Sequence, residues 1–478
     1  MKITINNFGP IESITFDMDK NFHLIYGKNS TGKSYSTYCL YCLIKNIKGK
    51  RVSRNYYYRR NFRDLHKDRL KSIFKRYKTN KDVRVEFVSF AKDYIQESIE
   101  SQIMPGLKTS LRNTFSNLST LKNAYTKKSY SIIFNFPGES TLSIESDKNG
   151  EPYFSEIILS EKWEFVEKNT ISTKYCINLD GKKWVGAPTE EKFIEDYIFK
   201  LDKEINGIFK YFDAEIRDVY YLPASRSGLY QALSSFTPIL AELTQNRFFL
   251  QNKKLELPSL SEPLSDYFLD ISTIDATTEN EQYKGLIENF EKNILEGKVR
   301  YDNETKKIKY QPYDMEFELD IAEVSSMVAE LSPIVIFLKH ILHHKYSTPP
   351  ANNMYEVMFH SASSKKHQTR DVIFIEEPEA HLHPEVQVKL AEIFAELTNH
   401  NITIIMTSHS NYMFNKINNI ILKQELKSND LAVYQLIKGK KGSKCNPEMK
   451  VDKEGISDEN FVEVSKQLYE ERLESLED

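Results

Sequence analysis

Residues 27 to 34 read Gly27-Lys28-Asn29-Ser30-Thr31-Gly32-Lys33-Ser34, a complete G-x-x-x-x-G-K-[ST] string, and few runs this short restrict a fold as tightly. The β-prone run Phe22-His23-Leu24-Ile25-Tyr26 precedes it and Tyr35 to Lys45 reads as a helix, so the order is strand, glycine loop, helix. Without a Cβ at Gly27 and Gly32 the loop can wrap an anion and aim successive backbone N–H groups at it. The positive end of the following helix adds to the attraction. Lys33 then offers a point charge to the β- and γ-phosphates of a nucleotide, and Ser34 a hydroxyl to Mg²⁺. ATP and Mg²⁺ are the expected ligands, with Gly27, Lys28, Asn29, Ser30, Thr31, Gly32, Lys33, Ser34 and the adjoining Tyr35 as the binding residues. A merely structural Gly/Ser turn would not need the Lys-Ser pair between those flanking elements.

At 478 residues the chain exceeds the size at which one core usually keeps growing, so more than one folding unit is expected. A net charge of −3 points by itself to neither a nucleic-acid nor a membrane partner. Four cysteines over this length argue against a disulfide framework and fit a reducing cytosol. Cys39 and Cys42 form a C-x-x-C, but they fall inside the expected helix among Leu40, Tyr41, Leu43 and Ile44, where core packing is favoured over zinc or redox chemistry. The start, Lys2-Ile3-Thr4-Ile5-Asn6-Asn7, alternates like an edge strand rather than a signal peptide. The most apolar later run, Pro333 to Leu342, is broken by Lys339 and too short to span a bilayer. The expected location is cytoplasmic, with no membrane partner.

A second block of chemistry lies at Asp371-Val372-Ile373-Phe374-Ile375-Glu376-Glu377-Pro378-Glu379. Its β-branched and aromatic run suggests a strand buried on both faces that ends in two carboxylates, where an open α/β sheet places ligand groups. In a phosphate-loop ATPase the first, Glu376, would hold Mg²⁺, and the second, Glu377, would orient and deprotonate the attacking water. Then come Ala380-His381-Leu382-His383-Pro384 and a helix from Glu385 to Leu397 with Pro384 at its first position. His381 and His383 form an H-x-H, but a magnesium-nucleotide site already accounts for the acids and no further ligand set is near. A further strand, Ile402 to Met406, ends in Thr407-Ser408-His409-Ser410. His409 at that terminus is either structural or a sensor of the γ-phosphate, and its position favours the second.

Together, Gly27 to Ser34, the Ile373-to-Glu379 strand with Leu382-His383-Pro384, and Thr407-Ser408-His409 resemble the ABC-type ATPase heads of the OLD, RecF and SMC-like group. The opening Ile5-Asn6-Asn7-Phe8-Gly9-Pro10-Ile11 and the tail Glu454-Gly455-Ile456-Ser457-Asp458-Glu459-Asn460-Phe461, with Leu468-Tyr469-Glu470-Glu471, extend the resemblance to both ends. It implies an α/β fold: a phosphate-loop head with a mixed sheet, helices on both faces and an antiparallel β subdomain, carrying an inserted, mainly helical basic arm. It also implies work in pairs, a signature serine at a helix start of one copy closing on the γ-phosphate held by another. Val324-Ser325-Ser326-Met327 matches that segment, opening a helix through Leu331, Ile334, Phe337 and Ile341. Ser325 or Ser326 would make the contact; an ordinary N-cap is the alternative. The family usually has glycine where Met327 stands. Glu376 replaces the commoner Asp, as is normal for the OLD-like branch. Asp218-Val219-Tyr220-Tyr221-Leu222-Pro223-Ala224-Ser225-Arg226-Ser227-Gly228 resembles a recurrent strand and loop of these proteins, in which Arg226 is either a polar group near the site or a solvated loop residue.

Between these motifs the character changes. From Lys45 to Arg84 sixteen Lys or Arg face three Asp, interleaved with Tyr56, Tyr57, Tyr58, Phe62, Phe74 and Tyr77. That composition suits a surface that neutralises phosphates and stacks bases, or one that meets an acidic protein. Val88 to Lys127 reads as helical and Ser131 to Trp184 as β-rich, with hairpin turns at Asp147-Lys148-Asn149-Gly150 and Asp180-Gly181. Glu190 to Phe212 reads as a helix; residues 241 to 296 are polar and mainly helical, with a loop around Pro258 and Pro263. No sustained heptads appear, so the long coiled coil of SMC proteins is not expected. The chain divides into an N-terminal lobe (1–45), a basic helical insertion (46–127), a β-rich part with a connecting helix (128–240), a helical insertion (241–296), a C-terminal lobe (297–440) and a strand-helix tail (441–478).

About seventy residues follow His409, too few for the Toprim nuclease domain of OLD-type enzymes. The expectation is an ATPase that is not itself a nuclease. It would pair with itself as a homodimer or higher oligomer and control a separately encoded effector, a nuclease or toxin, as in antiphage systems such as Septu, PARIS and certain retrons. Two alternatives stand beside it: a RecF-like DNA-repair ATPase binding nucleic acid through residues 45–84, and a platform that holds ATP with little turnover.

Overall fold

The computed structural model describes residues 1–48, 56–136, 140–158, 163–170, 172–213, 216–232, 260–277, 279–342, 370–447, 449–456 and 460–477. Side chains at 56–61, 169, 209–213, 460–465, 476 and 477 lie outside the description. Parts of the expected 45–84, 241–296 and 457–461 segments therefore fall outside it, among them the side chains of Tyr56, Tyr57 and Tyr58. Two compact units emerge: residues 1–19, 42–217 and 440–442, and residues 20–41, 218–439 and 443–478.

The second unit is built on parallel strands. In order across the sheet they are Arg370–Glu376, Ile402–Ser408, Phe22–Gly27 and Leu431–Gly439, with Ile216–Leu222 (which starts in the first unit) beside Arg370–Glu376. Arg370–Glu376 and Leu431–Gly439 flank the other two of these four parallel strands, and the register pairs Phe374 with Ile405, Thr407 with Ile25, and Tyr434 with Ile25. Every residue from Asp371 to Glu376 and from Ile402 to Ser408 is buried, which is why these stretches are continuously apolar rather than alternating. Helices Lys33–Ile47, Pro384–Leu397 and Asn411–Leu422 follow three of the strands. His383 and Ser410 cap the last two, the Ser410 Oγ accepting from the Met413 N–H at 3.1 Å. Cys39 and Cys42 are both fully buried in the first of these helices. The same unit carries an antiparallel sheet, Gly297–Asp302, Lys307–Pro312 and Leu319–Asp320, and the apolar helix Ser326–Ile336, which runs on as a π turn, Phe337–Ile341. Pro263, expected in a loop, instead stands in the first turn of helix Glu262–Ser272, where its missing N–H costs nothing.

The first unit is antiparallel and helical. Its strands run Ile11–Asp17, Lys2–Asn6, Ser131–Asn135, Thr141–Ser146 and Pro152–Ile158, and a separate sheet joins Trp163–Thr170, Thr173–Leu179 and Lys182–Ala187. Lys2–Asn6 is not the edge strand its alternation suggested. It pairs on both sides, and the second partner, Ser131–Asn135, arrives from so far along the chain that local sequence gives no sign of it. The hairpin turns form as expected: the Asp147 Oδ1 accepts from the N–H groups of Asn149 (2.7 Å) and Glu151 (2.9 Å), while Asp180 and Gly181 both take positive φ.

Helices Tyr56–Thr79, Arg84–Phe115 and Glu190–Asp213 complete this unit. Here the sequence misled about the aromatics. Phe74 (0% exposed) and Tyr77 (6%) pack with Phe87, Phe165 and, for Phe74, Phe193, and Phe62 lies against His66 and Tyr94. Side chains three residues apart on a helix share a face, so Phe74 and Tyr77 form its core seam and cannot stack on bases. Among the described residues no helix is long and apolar enough to cross a membrane.

Candidate nucleotide site

The glycine loop, which lies in the second unit, joins strand Phe22–Gly27 to helix Lys33–Ile47. Gly27 has φ +146°, and a Cβ there would come within 2.5 Å of the Leu436 carbonyl oxygen on the neighbouring strand, so only glycine fits. Gly32 has φ +89°. The Thr31 hydroxyl ties the loop by donating to the Lys28 carbonyl at 2.9 Å. Lys28, Asn29, Ser30, Ser34 and Tyr35 remain exposed around it. Lys33 is folded over the loop, its Nζ donating to the carbonyls of Gly27 (3.0 Å) and Lys28 (3.1 Å). Burial pulls the Lys33 ammonium below its ordinary range, opposed by the carboxylates of Glu377 and Glu379. A phosphate would give that ammonium a charged partner in place of two neutral carbonyls.

Three acids meet at the ends of the adjacent strands. Glu376 is 6% exposed. Its Oε2 accepts the Tyr38 hydroxyl at 3.3 Å, while Oε1 is buried and, among the described residues, has no donor in hydrogen-bonding geometry. Burial pushes this carboxyl up, and the Ser34, Tyr221 and Tyr38 hydroxyls offset part of the shift. A buried carboxylate oxygen left without a donor, facing a serine hydroxyl, fits a hydrated divalent cation.

Glu377 adopts φ +41°, a left-handed conformation rarely kept by glutamate unless the surroundings fix it. They do so here, because its N–H donates to the Thr407 carbonyl at 3.0 Å and pins one strand end to the next. Its Oε1 lies 3.6 Å from the His409 Nε2. That neighbouring imidazole holds the Glu377 carboxyl below its ordinary range despite partial burial, with Lys33 and Arg226 adding to the effect. Glu379 receives the Ser408 hydroxyl (2.9 Å) and the His409 N–H on Oε1, which orients the histidine backbone. Burial pushes the Glu379 carboxyl up against those bonds.

Arg226 resolves its two sequence readings, since it is wholly buried. Its Nη1 donates to the carbonyls of Pro223 (2.9 Å) and Glu376 (3.1 Å), and its Nε to the Glu330 carbonyl (3.1 Å). The Glu330 carboxylate accepts the N–H of Arg226 at 3.0 Å and the Ser227 hydroxyl at 2.5 Å. Glu330 belongs to helix Ser326–Ile336, so one buried pair ties that helix to the acidic strand end. Ser325 and Ser326 stand exposed at the start of the same helix, with the Ser325 Oγ accepting from the Val328 N–H at 3.4 Å as an N-cap. His381 sits at φ +63°, and His383 spends its Nδ1 on the Glu385 N–H at 3.4 Å.

The structure thus gathers Lys33, Ser34, Glu376, Glu377 and His409 about one loop. Sequence reasoning assigned no role to Tyr38, Tyr221, Glu330 or Glu379. Tyr38 was within reach, lying one helical turn after Ser34 and therefore on the same face; the others join the site through non-local contacts.

A family model for an AAA ATPase domain matches residues 1–414. The chain belongs to the AAA ATPase domain family. No curated protein sequence matches it. Among solved structures, an SMC head bound to the C-terminal winged-helix domain of ScpA is 11% identical, with TM-score 0.38 over 93% of this chain and 96% of that one. An SMC head domain from Thermotoga maritima is 9% identical, with TM-score 0.34 over 93% and 97%. An SMC head with an extended coiled coil, bound to the C-terminal domain of ScpA derived from Pyrococcus furiosus, is 13% identical, with TM-score 0.35 over 98% of each chain. Overlaps of that degree add nothing to the residue-level geometry.

Proposed function

We propose that this member of the AAA ATPase domain family is a nucleotide-controlled switch that binds and hydrolyses ATP. The observation that carries the reading is the Glu377–His409 contact beside the phosphate loop: an acid kept ionised, facing the loop lysine, at the adjoining ends of two parallel strands. The backbone of Gly27 to Ser34 wraps the phosphates, Lys33 leaves the loop carbonyls for the β- and γ-oxygens, and Tyr35 lines the rim. Ser34 and Glu376 would hold Mg²⁺, which when bound neutralises phosphate charge. Glu377 orients the attacking water and takes its proton, and His409 holds Glu377 and senses the γ-phosphate.

Pairing of two copies belongs to the same proposal. Ser325 or Ser326 of one protomer would meet the γ-phosphate of another, so that ATP favours the pair and hydrolysis removes the contact. The exposure of both serines at a helix start supports this reading; Met327 narrows the approach where relatives have glycine. The proposed output is a separately encoded effector, a nuclease or toxin of an antiphage system, which rests on the motif resemblance.

Purified protein should bind ATP with Mg²⁺ and release phosphate slowly, and Lys33→Ala should do neither. Arginine at both Ser325 and Ser326 should leave ATP binding intact and abolish ATP-dependent pairing in light scattering. Pairing unaltered by that double change would remove the in-trans contact from the scheme. Co-purification of the neighbouring gene product, with and without ATP, tests the effector.

A further inference from the structure

The helix that carries Glu330 ends away from its serines in an unusual place. Ser326–Ile336 passes straight into the π turn Phe337–Ile341, and a second π turn, Glu291–Leu295, contributes to the same pocket. Single π turns are rare, sacrifice regular hydrogen bonding and occur mostly at functional sites.

At this pocket lies a buried ion pair. The Lys339 Nζ donates to the Val299 carbonyl at 2.7 Å and sits 3.0 Å from the Glu291 Oε1, which also accepts the Val299 N–H at 2.8 Å. The two side chains are 8% and 7% exposed. A pair this buried is costly to desolvate and adds little stability over an apolar substitute. The Asn280 N–H and side-chain amide donate to the carbonyls of Lys339 and Leu342, both at 2.9 Å, fixing the pocket wall to the π turn.

The cavity measures about 240 Å³, slightly under the roughly 300 Å³ at which drug-sized sites begin. Glu279, Glu281 and Glu288 share its rim with Lys284 and Lys298; Glu279 lies 3.5 Å from the Lys339 Nζ and Glu281 3.5 Å from the Lys284 Nζ, which leaves Glu288 and Lys298 as the rim charges without an ion pair among the described residues. Counting the buried pair, four carboxylates face three ammonium groups, so the lining carries both signs with one negative charge in excess. Among the described residues no group of three His, Cys, Asp or Glu could hold a metal ion. A bare cation is therefore a poor fit, and charge complementarity selects an organic ligand with an acidic group and surplus positive charge.

We propose that this pocket binds a small zwitterion of net positive charge, the chemistry of a free basic amino acid, and that occupancy biases the ATPase site. The route is physical: Lys339 continues the helix whose Glu330 holds Arg226, and Arg226 holds the Glu376 carbonyl. The regulatory half rests on the ATPase reading above; the binding half does not.

Isothermal titration of the full chain without nucleotide should show L-arginine or L-lysine binding once per chain. L-glutamate, spermidine and inorganic phosphate should bind at least tenfold more weakly. Glu288→Lys and Lys298→Glu should each weaken the amino acid tenfold or more while binding an ATP analogue like the parent, which shows that they fold. No binding of either amino acid, equal binding of spermidine, or affinity untouched by both reversals would overturn the site. A saturating non-hydrolysable ATP analogue should shift the amino-acid Kd by about fivefold or more, by reciprocity of coupling. An unchanged Kd would overturn the regulatory half. Failure of the parent to bind the analogue at all would count against the phosphate-loop reading alone.

Discussion

Two charged regions of this molecule look alike in sequence and are opposites in the fold. Between Arg63 and Arg84, six of the nine Lys and Arg residues form ion pairs: Arg63 with Asp202, Arg69 with Asp93 and Glu97, Lys71 with Asp68, Arg76 with Glu86, Lys78 with Glu190, and Lys81 with Glu167. Nearly all the matching acids arrive from later elements of the same unit. At the strand ends of the other unit, Lys33 donates to two neutral loop carbonyls under the pull of the Glu377 and Glu379 carboxylates, Glu376 keeps an oxygen with no donor in hydrogen-bonding geometry among the described residues, and Glu377 lies 3.6 Å from a histidine. A charge-rich run is thus a poor sign of function when the fold supplies its counter-charges. The strand-end charges stay open to a ligand.

That contrast is broken or sharpened by substitution. The largest effect is expected at Lys33→Ala, with ATP binding lost outright in a fluorescent-nucleotide titration. Arg226→Ala should follow, because it leaves Glu330 buried and unpaired, at a cost of about 3–5 kcal/mol in denaturant unfolding. Loss of under about 1 kcal/mol would mean that the pair does not hold the strand end. In the basic helix, by contrast, Arg69→Gln breaks exposed pairs and should cost less than about 1 kcal/mol with ATPase activity unchanged.

A smaller test concerns pH. His23, fully buried in the strand before the loop, has its pKa lowered to about 3 by desolvation. Between that value and the ordinary 6.5 the unfolded chain binds a proton that the folded chain refuses, so stability is full above the upper limit and declines as pH falls through the window. His23→Asn should flatten that decline in denaturant titrations from pH 7 to pH 4. Equal slopes for both proteins would contradict it.

The loop, its flanking strand and helix, the acidic strand, the Pro384 helix start and the hairpin turns were all legible because each is set by local chemistry: glycine conformation, apolar runs and caps. The family match agrees with the nucleotide-binding class read from those motifs. What local chemistry cannot carry is long-range pairing. Lys2–Asn6 gains its second neighbour from residues 131–135, and Arg226 becomes a buried clamp only because Glu330 comes to it. Phe74 and Tyr77 read as a nucleic-acid surface until Phe87 and Phe165 cover them. Likewise Glu379 showed as part of a motif, but its grip on Ser408 and His409 is visible only in three dimensions.

The central claim is that Glu377 is the base of an ATP-hydrolysing site. The neighbouring His409 holds its carboxyl below the usual range, which favours the charged form that a base needs before it takes a proton. Single-turnover hydrolysis by Glu377→Gln, with ATP affinity measured in parallel, tests this most directly. The account predicts an affinity near that of the parent and a hydrolysis rate lower by ~10²–10⁴; hydrolysis at the parent rate would contradict it.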